Sequence, residues 1–249
     1  MPISISDIQK RLTKLYEQEL QRNFDPYLAN HSDGTSVRRQ IEVFDRYRCF
    51  LPETGRILDW GCNHAPDSCI IRAAVGDKYE MHGCDFRDDG LFPTFHVFAG
   101  LSYKKLEHIY QLPYQDSYFD VVIGSGVLEH TAMDYESLKE IHRILTANGL
   151  FIITFLPNKL SWVEFASRRL GAPSHPRLYR EGEVRNTLLH YGFRPLLFRY
   201  HQFTPSHKLH LVFARMNFLN IVGERIWPLN QFCTTLMIVA RKVRYFSRL

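Results

Sequence analysis

The chain has 249 residues, of which 45% are hydrophobic and 23% charged, and it carries five cysteines and a formal net charge of +5. This composition is typical of an ordinary globular protein and excludes disordered, collagen-like and membrane-embedded classes. No run approaches the ~20 apolar residues of a membrane span, and the amino-terminal segment lacks a signal-peptide pattern. The cysteines form no CxxC pair, so we expect reduced, mostly buried thiols in a cytoplasmic protein rather than disulfides or a zinc site.

Residues 1–50 predict a helical cap. Apolar residues repeat at helical spacing over 5–22, and Ser6 or Asp7 is the expected N-cap of this helix. After a polar loop, Ser36 can cap a second helix that reaches about Phe50.

Residues 51–203 alternate between strand and helix patterns. Strands are predicted at 56–60, 79–84, 103–107, 119–124 and 149–155, and helices near 66–75, 134–145, 161–170 and 180–191. Such alternation predicts an α/β fold, a doubly wound and mostly parallel sheet covered by helices on both faces.

The end of the chain departs from this alternation. Residues 193–203 and 232–243 predict two strands that pair antiparallel at one edge of the sheet. Between them, residues 204–231 form an apolar and basic insertion of about two helices, which we interpret as a substrate lid. We expect one domain over 1–249, with the last strand and a basic tail at 232–249.

The positive charge is concentrated in this last part. From Phe203 onward the chain has seven Lys/Arg and one acid, Glu224. The cations alternate with large apolar residues such as Trp227 rather than with Gly and Ser, which does not favour nucleic acid. A basic apolar segment can lie on an anionic membrane surface, so peripheral membrane contact through 204–249 is one expectation, and burial of its apolar face in the core is the other.

The stretch RILDWGCNHAPDS, residues 56–68, has the form of a strand followed by a ligand-binding turn. Asp59 ends the first strand, and Gly61 allows backbone to approach a ligand closely. Asp85 ends the second strand, where an acid can accept hydrogen bonds from both hydroxyls of a ribose. Ligands of doubly wound sheets bind beyond these strand ends.

Two cofactor classes fit this loop. A dinucleotide requires a three-glycine turn that places its pyrophosphate at a helix N-terminus, whereas this turn has Asn63 and Ala65 and carries the Asp59 carboxylate. An acid repels a pyrophosphate but attracts the ammonium of S-adenosylmethionine. The loop therefore favours the methyl donor, and a dinucleotide-dependent oxidoreductase is the less favoured alternative.

An ordered set of segments resembles the class I S-adenosylmethionine-dependent methyltransferases. These are ILDWGCNHA, GCD, LPYQDSYFDVVIGSGVLEH at 112–130 and ILTANGLFIITFLPN at 144–158, and together they cover about residues 55–200. The resemblance implies a Rossmann-like sheet of seven strands with the last strand antiparallel. It also implies S-adenosylmethionine as the cofactor.

The same resemblance implies a set of cofactor-binding residues. The first strand end would hold the methionine part, Asp85 the ribose, and Phe86 the adenine, while the neutral His108 ring would accept a hydrogen bond from the adenine amino group. The full set is Asp59, Gly61, Cys62, Asn63, Asp85, Phe86, His108, Ile109, Tyr110, Ser125 and Gly126. The simpler alternatives are that Asp59 is only a helix cap and Asp85 only a solvated acid.

The sequence LEHT places Glu129 and His130 directly after the fourth strand. A hydroxyl acceptor must lose a proton, ideally to a group with a pKa near the working pH. His130 is the leading candidate for this base, with Glu129 beside it, and the alternative is that the pair only caps the following turn. VLEH also occurs in quinone-biosynthesis O-methyltransferases, where acids around it have been associated with a divalent metal. Gly126 stands where one of those acids would be, so we predict no metal.

The acceptor is expected to be a small-molecule, lipid-linked or glycan-type compound, possibly anionic and methylated at oxygen. GSGV replaces the Asn/Asp-Pro-Pro-aromatic tetrad of methyltransferases that act on exocyclic amines of bases. Apolar walls are expected from Trp162, Phe165, Tyr179, Phe213, Phe218 and Trp227, and anion contacts from Arg168, Arg169, Arg177, Arg180 and Lys208. A scaffold that kept the fold and lost the chemistry is the remaining alternative.

Overall fold

The computed structural model describes residues 4–171, 175–204 and 217–243. Over these ranges, one sheet contains seven strands: β1 Gly55–Trp60, β2 Tyr79–Asp85, β3 Ser102–Lys105, β4 Phe119–Ser125, β5 Leu145–Pro157, β6 Phe193–His201 and β7 Thr235–Lys242. The helices described are α1 Ile5–Arg22, α2 Pro26–His31, α3 Gly34–Tyr47, α4 Pro66–Val75, α5 Pro93–Ala99, α6 Asp134–Ile144, α7 Trp162–Arg169, α8 Glu181–His190 and α9 Asn217–Arg225. Short 3-10 helices lie at Arg48–Phe50, Leu128–His130 and Leu229–Phe232.

The strand order is β3-β2-β1-β4-β5-β7-β6. Strands β1 to β5 pair in parallel, whereas β7 is antiparallel to both β5 and β6. The order reverses between β1 and β4, which defines the switch point where doubly wound sheets bind ligands. The predicted α/β fold class, including the antiparallel pair at one edge, is confirmed.

Both faces of the sheet are buried, as the continuous apolar runs of its central strands require. Ile57 of β1 faces a core cluster that includes residues of α1, α3, α4 and α5. Its neighbour Leu58 faces the opposite cluster, which includes residues of α6 and α8. Successive strand side chains alternate between faces, so the register of the sheet fixes which strand-end residues can share a site.

The amino-terminal cap differs in detail from the expectation. Ser4, rather than Ser6 or Asp7, is the N-cap of α1. Asp33, rather than Ser36, caps α3, and the Ser36 hydroxyl donates to the Asp33 carboxylate instead. Helices α2 and α5 were not expected, because six- and seven-residue helices are too short to show periodicity.

The carboxyl-terminal insertion is described from α9 onward, so residues 205–216 and 244–249 lie outside the described part of the chain. Glu224 of α9 ties this helix to the core. Its carboxylate lies 2.5 Å from Nη2 of Arg46 and 3.0 Å from Nδ1 of His201, and it accepts from the backbone N–H of Gln202 at 2.7 Å. Within the described ranges, no helix is both long enough and apolar enough to cross a membrane.

Candidate active site

The turn between β1 and α4 has a left-handed backbone at three positions, and only one of these is a glycine. Gly61, Asn63 and Ala65 have φ angles of 67°, 49° and 56°, all in the left-handed region. A Cβ at position 61 would lie 2.7 Å from Cγ2 of Val127, so that position requires glycine. Asn tolerates this region better than most side chains, whereas Ala65 holds it at a cost of about 1–2 kcal/mol. Asn63 and Ala65 therefore adopt the backbone conformation that glycine favours.

Asp59 lies at the end of β1 and is almost fully buried. Its Oδ2 accepts from the Ser68 hydroxyl at 2.7 Å and from the Ser68 backbone N–H at 3.3 Å. The carboxylate thus caps the first turn of α4, as the simpler alternative anticipated. This contact occupies Oδ2, and no hydrogen bond to Oδ1 is present among the described residues.

A second buried acid, Asp67, lies beside Asp59 and was missed in the sequence. It accepts from the Tyr47 hydroxyl at 3.1 Å. Burial, followed by repulsion from Asp67, raises the pKa of Asp59 well above its usual value, and burial also raises the pKa of Asp67. Within the described ranges, neither acid forms a salt bridge with a Lys or Arg. A cationic ligand group would stabilise the ionised pair.

Asp85 lies on the same face of the sheet as Asp59. The register pairs Asp59 with Gly83, and alternation along β2 then places Asp85 on the face of Gly83. The Asp85 carboxylate accepts from the backbone N–H of Asn63 at 2.9 Å and of Arg87 at 3.3 Å. Its side chain therefore contacts the same loop that Asp59 supports, and the two acids belong to one site.

The residues expected to hold the adenine lie on the outer side of this site. Phe86 and Ile109 are about half exposed. Nδ1 of His108 accepts from the backbone N–H groups of Tyr110 at 3.3 Å and Gln111 at 3.1 Å. The neutral ring must then carry its proton on Nε2, so His108 can donate to an adenine ring nitrogen but cannot accept from the adenine amino group. This corrects the expected role of His108. The ring lines a cleft of about 590 Å³ at the carboxyl end of β3.

Ser125 and Gly126 lie at the end of β4, next to the switch point. Ser125 Oγ accepts from the Thr154 hydroxyl at 2.9 Å, and the Gly126 N–H donates to the Thr154 carbonyl at 3.0 Å. These bonds fix both residues against β5. With a φ of 63° at Gly126, the chain turns directly into the 3-10 helix that carries Glu129.

Glu129 and His130 point in different directions. Glu129 is 4% exposed, and its Oε2 has no hydrogen-bond partner among the described residues. Its Oε1 lies 3.6 Å from where a Cβ of Gly126 would be. Burial raises the pKa of Glu129 to about 7. The His130 side chain is 59% exposed, 4.0 Å from Glu129, and burial of its inner part lowers its pKa. Glu129 is therefore the residue that faces the strand ends.

The amino-terminal cap contributes a residue that the sequence did not reveal. Tyr27 of α2 interacts with the Asn63 side chain and lies near Asp85 and Arg87. Its ring packs against His31 at 4.2 Å between centroids. The only sequence signal was Asp25 followed by Pro26, an N-cap and first-turn pair that starts α2.

Some of the residues expected to line the acceptor pocket contact the segment that follows β4. The Tyr179 hydroxyl donates to the Leu128 carbonyl at 3.2 Å, and Arg177 pairs with Asp134 at 2.8 Å. Another buried acid, Glu164 of α7, lies 2.6 Å from Nδ1 of His175. Phe213 and Lys208 lie outside the described residues. Where the structure describes the chain, no three His, Cys, Asp or Glu side chains are grouped as a metal site.

Comparison with known proteins agrees with this geometry. Residues 58–153 match the family described as a methyltransferase domain. A demethylmenaquinone methyltransferase from Bacillus mycoides (strain KBAB4) is 31% identical over 136 residues, which are 49% of this chain and 56% of that protein. The chain thus spans about half the length of the curated relatives it matches.

Solved structures share the fold at low identity. An S-adenosylmethionine-dependent methyltransferase from Mesorhizobium loti has a TM-score of 0.52 at 16% identity, over 80% of this chain and 97% of the other. The [4+2]-cyclase SpnF has a TM-score of 0.56 at 16% identity, over 84% and 81% of the two chains.

The chain has the fold of these class I methyltransferase structures, and residues 58–153 match a methyltransferase domain. The cofactor that this domain implies is S-adenosylmethionine. The residues present fit that cofactor, because the buried Asp59–Asp67 pair could hold its ammonium and Asp85 could accept hydrogen bonds from its ribose hydroxyls.

Proposed function

We propose that the protein transfers a methyl group from S-adenosylmethionine to an oxygen of a small, lipid-linked or glycan-type acceptor. The observation that carries the proposal is the shared face of Asp59 and Asp85, joined by one loop at the switch point of the sheet. When bound, S-adenosylmethionine supplies an electrophilic methyl group on a sulfonium.

The chain's own residues would hold the donor by charge and by hydrogen bonds. The Asp59–Asp67 pair attracts an ammonium, and Asp85 accepts from paired hydroxyls. Asp59 and Asp67 also lie at the N-terminus of α4, where the helix dipole favours anionic side chains. This arrangement would repel a pyrophosphate, so it opposes the dinucleotide-dependent alternative.

Glu129 is the proposed base. A hydroxyl acceptor must lose its proton as the new carbon–oxygen bond forms, and a carboxylate with a pKa of about 7 can take that proton at neutral pH. Its Oε2 is buried without a hydrogen-bond partner among the described residues, so an acceptor hydroxyl bound beside it could donate to it. Glu129 would take this proton and hold it as a carboxylic acid, while the methyl group that S-adenosylmethionine supplies would replace the proton on the acceptor oxygen.

The acceptor class rests on the relatives and on the walls of the site. The relative from Bacillus mycoides is named for demethylmenaquinone, which supports an acceptor with an apolar, lipid-linked ring. Arg168 and Arg177 are each engaged with an acid of this chain, so an anionic acceptor would have to compete with those pairs.

Two measurements test the proposal. Isothermal titration should show binding of S-adenosylmethionine and its demethylated product, with no binding of NAD(P)H. Incubation of cell extracts with labelled donor should then yield a labelled small molecule. Glu129→Gln should reduce labelling by about 10²–10⁴-fold without loss of donor binding, whereas His130→Asn, the matched control, should retain most of it. Absence of donor binding at millimolar ligand would refute the proposal, and donor binding without any labelled product would favour the scaffold.

A further inference from the structure

Large apolar side chains are exposed on α9 and in the turn that follows it. Phe218 and Trp227 are 71% and 74% exposed, and Ile221 and Ile226 are about half exposed. Globular proteins seldom expose such residues in one short segment without a binding role. We call Phe218, Ile221, Arg225, Ile226 and Trp227 the α9 face.

The α9 face lies beyond the same end of the sheet as the candidate active site, where the parallel strands terminate. Strand β6 is antiparallel to β7, and β7 is antiparallel to β5, so β6 runs in the direction of β5. The chain therefore leaves β6 at the edge where Asp59 and Asp85 lie. Phe203 follows β6 directly, and α9 packs against it, since a Cβ at Gly223 would clash with the Phe203 ring.

Helix α7 meets the same residue from the other side. Trp162 Nε1 donates to the Phe203 carbonyl at 2.7 Å, and the two rings are in contact. Phe165 of α7 and Leu170, directly after the helix, are also exposed, and the Arg169 guanidinium lies 5.1 Å from the centre of the Phe165 ring. Apolar and cationic side chains thus occur together on both helices that flank Phe203.

The charge of this part of the chain is positive. Glu224 is the only acid from Phe203 to the end of the sequence, and it is engaged with Arg46 and His201. Arg225, at the end of α9, is exposed. Exposed aromatic rings thus lie near the guanidinium groups of Arg225 and Arg169, for which no ion pair is present among the described residues. Such a surface is complementary to an anionic bilayer, where Trp lies at the level of the headgroups.

We propose that the α9 face docks on an anionic lipid bilayer, with Trp227 and Phe218 inserted among the headgroups and Arg225 against lipid phosphates. Docking there places the mouth of the candidate active site at the membrane surface, where a lipid-linked acceptor would be found. The docking step itself requires neither donor nor acceptor, so its test is independent of the proposed methyl transfer.

The test uses the full chain and sedimentation with sucrose-loaded vesicles of phosphatidylcholine, with or without phosphatidylglycerol. Wild type should bind the anionic vesicles and show little binding to the neutral ones. The double variant Phe218→Ala/Trp227→Ala should lower the partition coefficient by about tenfold or more, and Arg225→Gln by about fivefold. The matched control, Val97→Ala/Leu189→Ala, removes side chains that are 79% and 52% exposed on α5 and α8 and should bind as wild type.

A second readout locates the contact. Trp60 is buried and Trp162 is held by Phe203, so quenching of tryptophan emission by brominated acyl chains should come from Trp227 and should be lost in Trp227→Phe while binding persists. Equal binding of wild type and the double variant, no binding to anionic vesicles at low salt, or equal binding to neutral vesicles would each overturn the proposal. Because the replaced side chains are exposed, all variants should melt as wild type does.

Discussion

Replacing Asp59 by Asn should weaken donor binding and stabilise the ligand-free protein at the same time. The substitution preserves shape and one acceptor oxygen for Ser68, but it removes one charge from the buried Asp59–Asp67 pair. The ammonium of a bound ligand then loses an anionic partner, which weakens binding. The ligand-free protein loses the repulsion between Asp59 and Asp67, which stabilises it. A residue that served only as a helix cap would show no such opposition, because its removal would destabilise the fold.

The magnitudes follow from the environment of the pair. A hydrogen bond to a charged group contributes about 1.5–3 kcal/mol, so donor affinity should fall by about 10- to 150-fold. For stability, the folded-state pKa of Asp59 is raised above its usual value of 3.8. The folded state therefore holds its proton more tightly than the unfolded state, and wild type loses stability as pH rises from about 4 towards the folded pKa. For each increase of one in the folded-state pKa, the ionised wild type loses about 1.4 kcal/mol of folding stability. Asp59→Asn cannot ionise at this position and does not lose that stability.

The assay is thermal melting of both proteins from pH 5 to pH 8, together with titration of the demethylated donor. The melting temperature of Asp59→Asn should exceed that of wild type by an amount that grows with pH, at about 2–4 °C per kcal/mol for this chain length. Glu53→Gln, which removes an exposed acid at the opposite end of β1, should match wild type in both measurements. Unchanged donor affinity in Asp59→Asn, or a loss of stability that does not depend on pH, would refute the reasoning.

Three further substitutions test other parts of the structure. Asp85→Asn should weaken binding of the demethylated donor by about tenfold, and titration with its 2′-deoxy analogue should show a smaller difference; equal losses for both ligands would count against ribose contact. Gly61→Ala should destabilise the fold by about 2–5 kcal/mol in chemical unfolding, because of the left-handed φ and the clash with Val127. Adding Val127→Ala should recover only the share of the lost stability that is due to the clash. Burial alone would raise the pKa of Glu224, but His201 and Arg46 lower it to about 2. Glu224→Gln should therefore lower the free energy of unfolding by about 1–3 kcal/mol at pH 7, and this difference from wild type should shrink as pH falls from 4.5 towards 2. A difference that stays constant with pH would contradict the ion pairs.

The sheet could be predicted because its strands carry continuous apolar runs that end in acids or glycines. The positions of Asp59 and Asp85 could be predicted as well, since both lie at the end of such a strand. The turn after Gly61 was harder to interpret, because side chains at Asn63 and Ala65 conceal the left-handed backbone that glycines normally mark.

The direction of side chains after a strand end could not be read from spacing alone. Glu129 and His130 are adjacent, yet one is buried and the other is mostly exposed. They lie on a 3-10 helix of three residues, which is too short for sequence spacing to show which side chain is buried. Asp67 was overlooked for a similar reason, since an acid in the first turn of a helix usually faces solvent. Tyr27 reaches the site through α2, a helix of six residues without detectable periodicity.

The most direct measurement is a crystal structure of the protein with the demethylated donor bound. We predict that its α-amino group lies within hydrogen-bond distance of Asp59 and that its ribose hydroxyls contact Asp85. We also predict that Glu129 faces the side of the sulfur to which the transferred methyl group would be attached. A ligand bound away from the β1–α4 turn, or one whose amino group points away from Asp59 and Asp67, would contradict the assignment of this turn as the methyl-donor site.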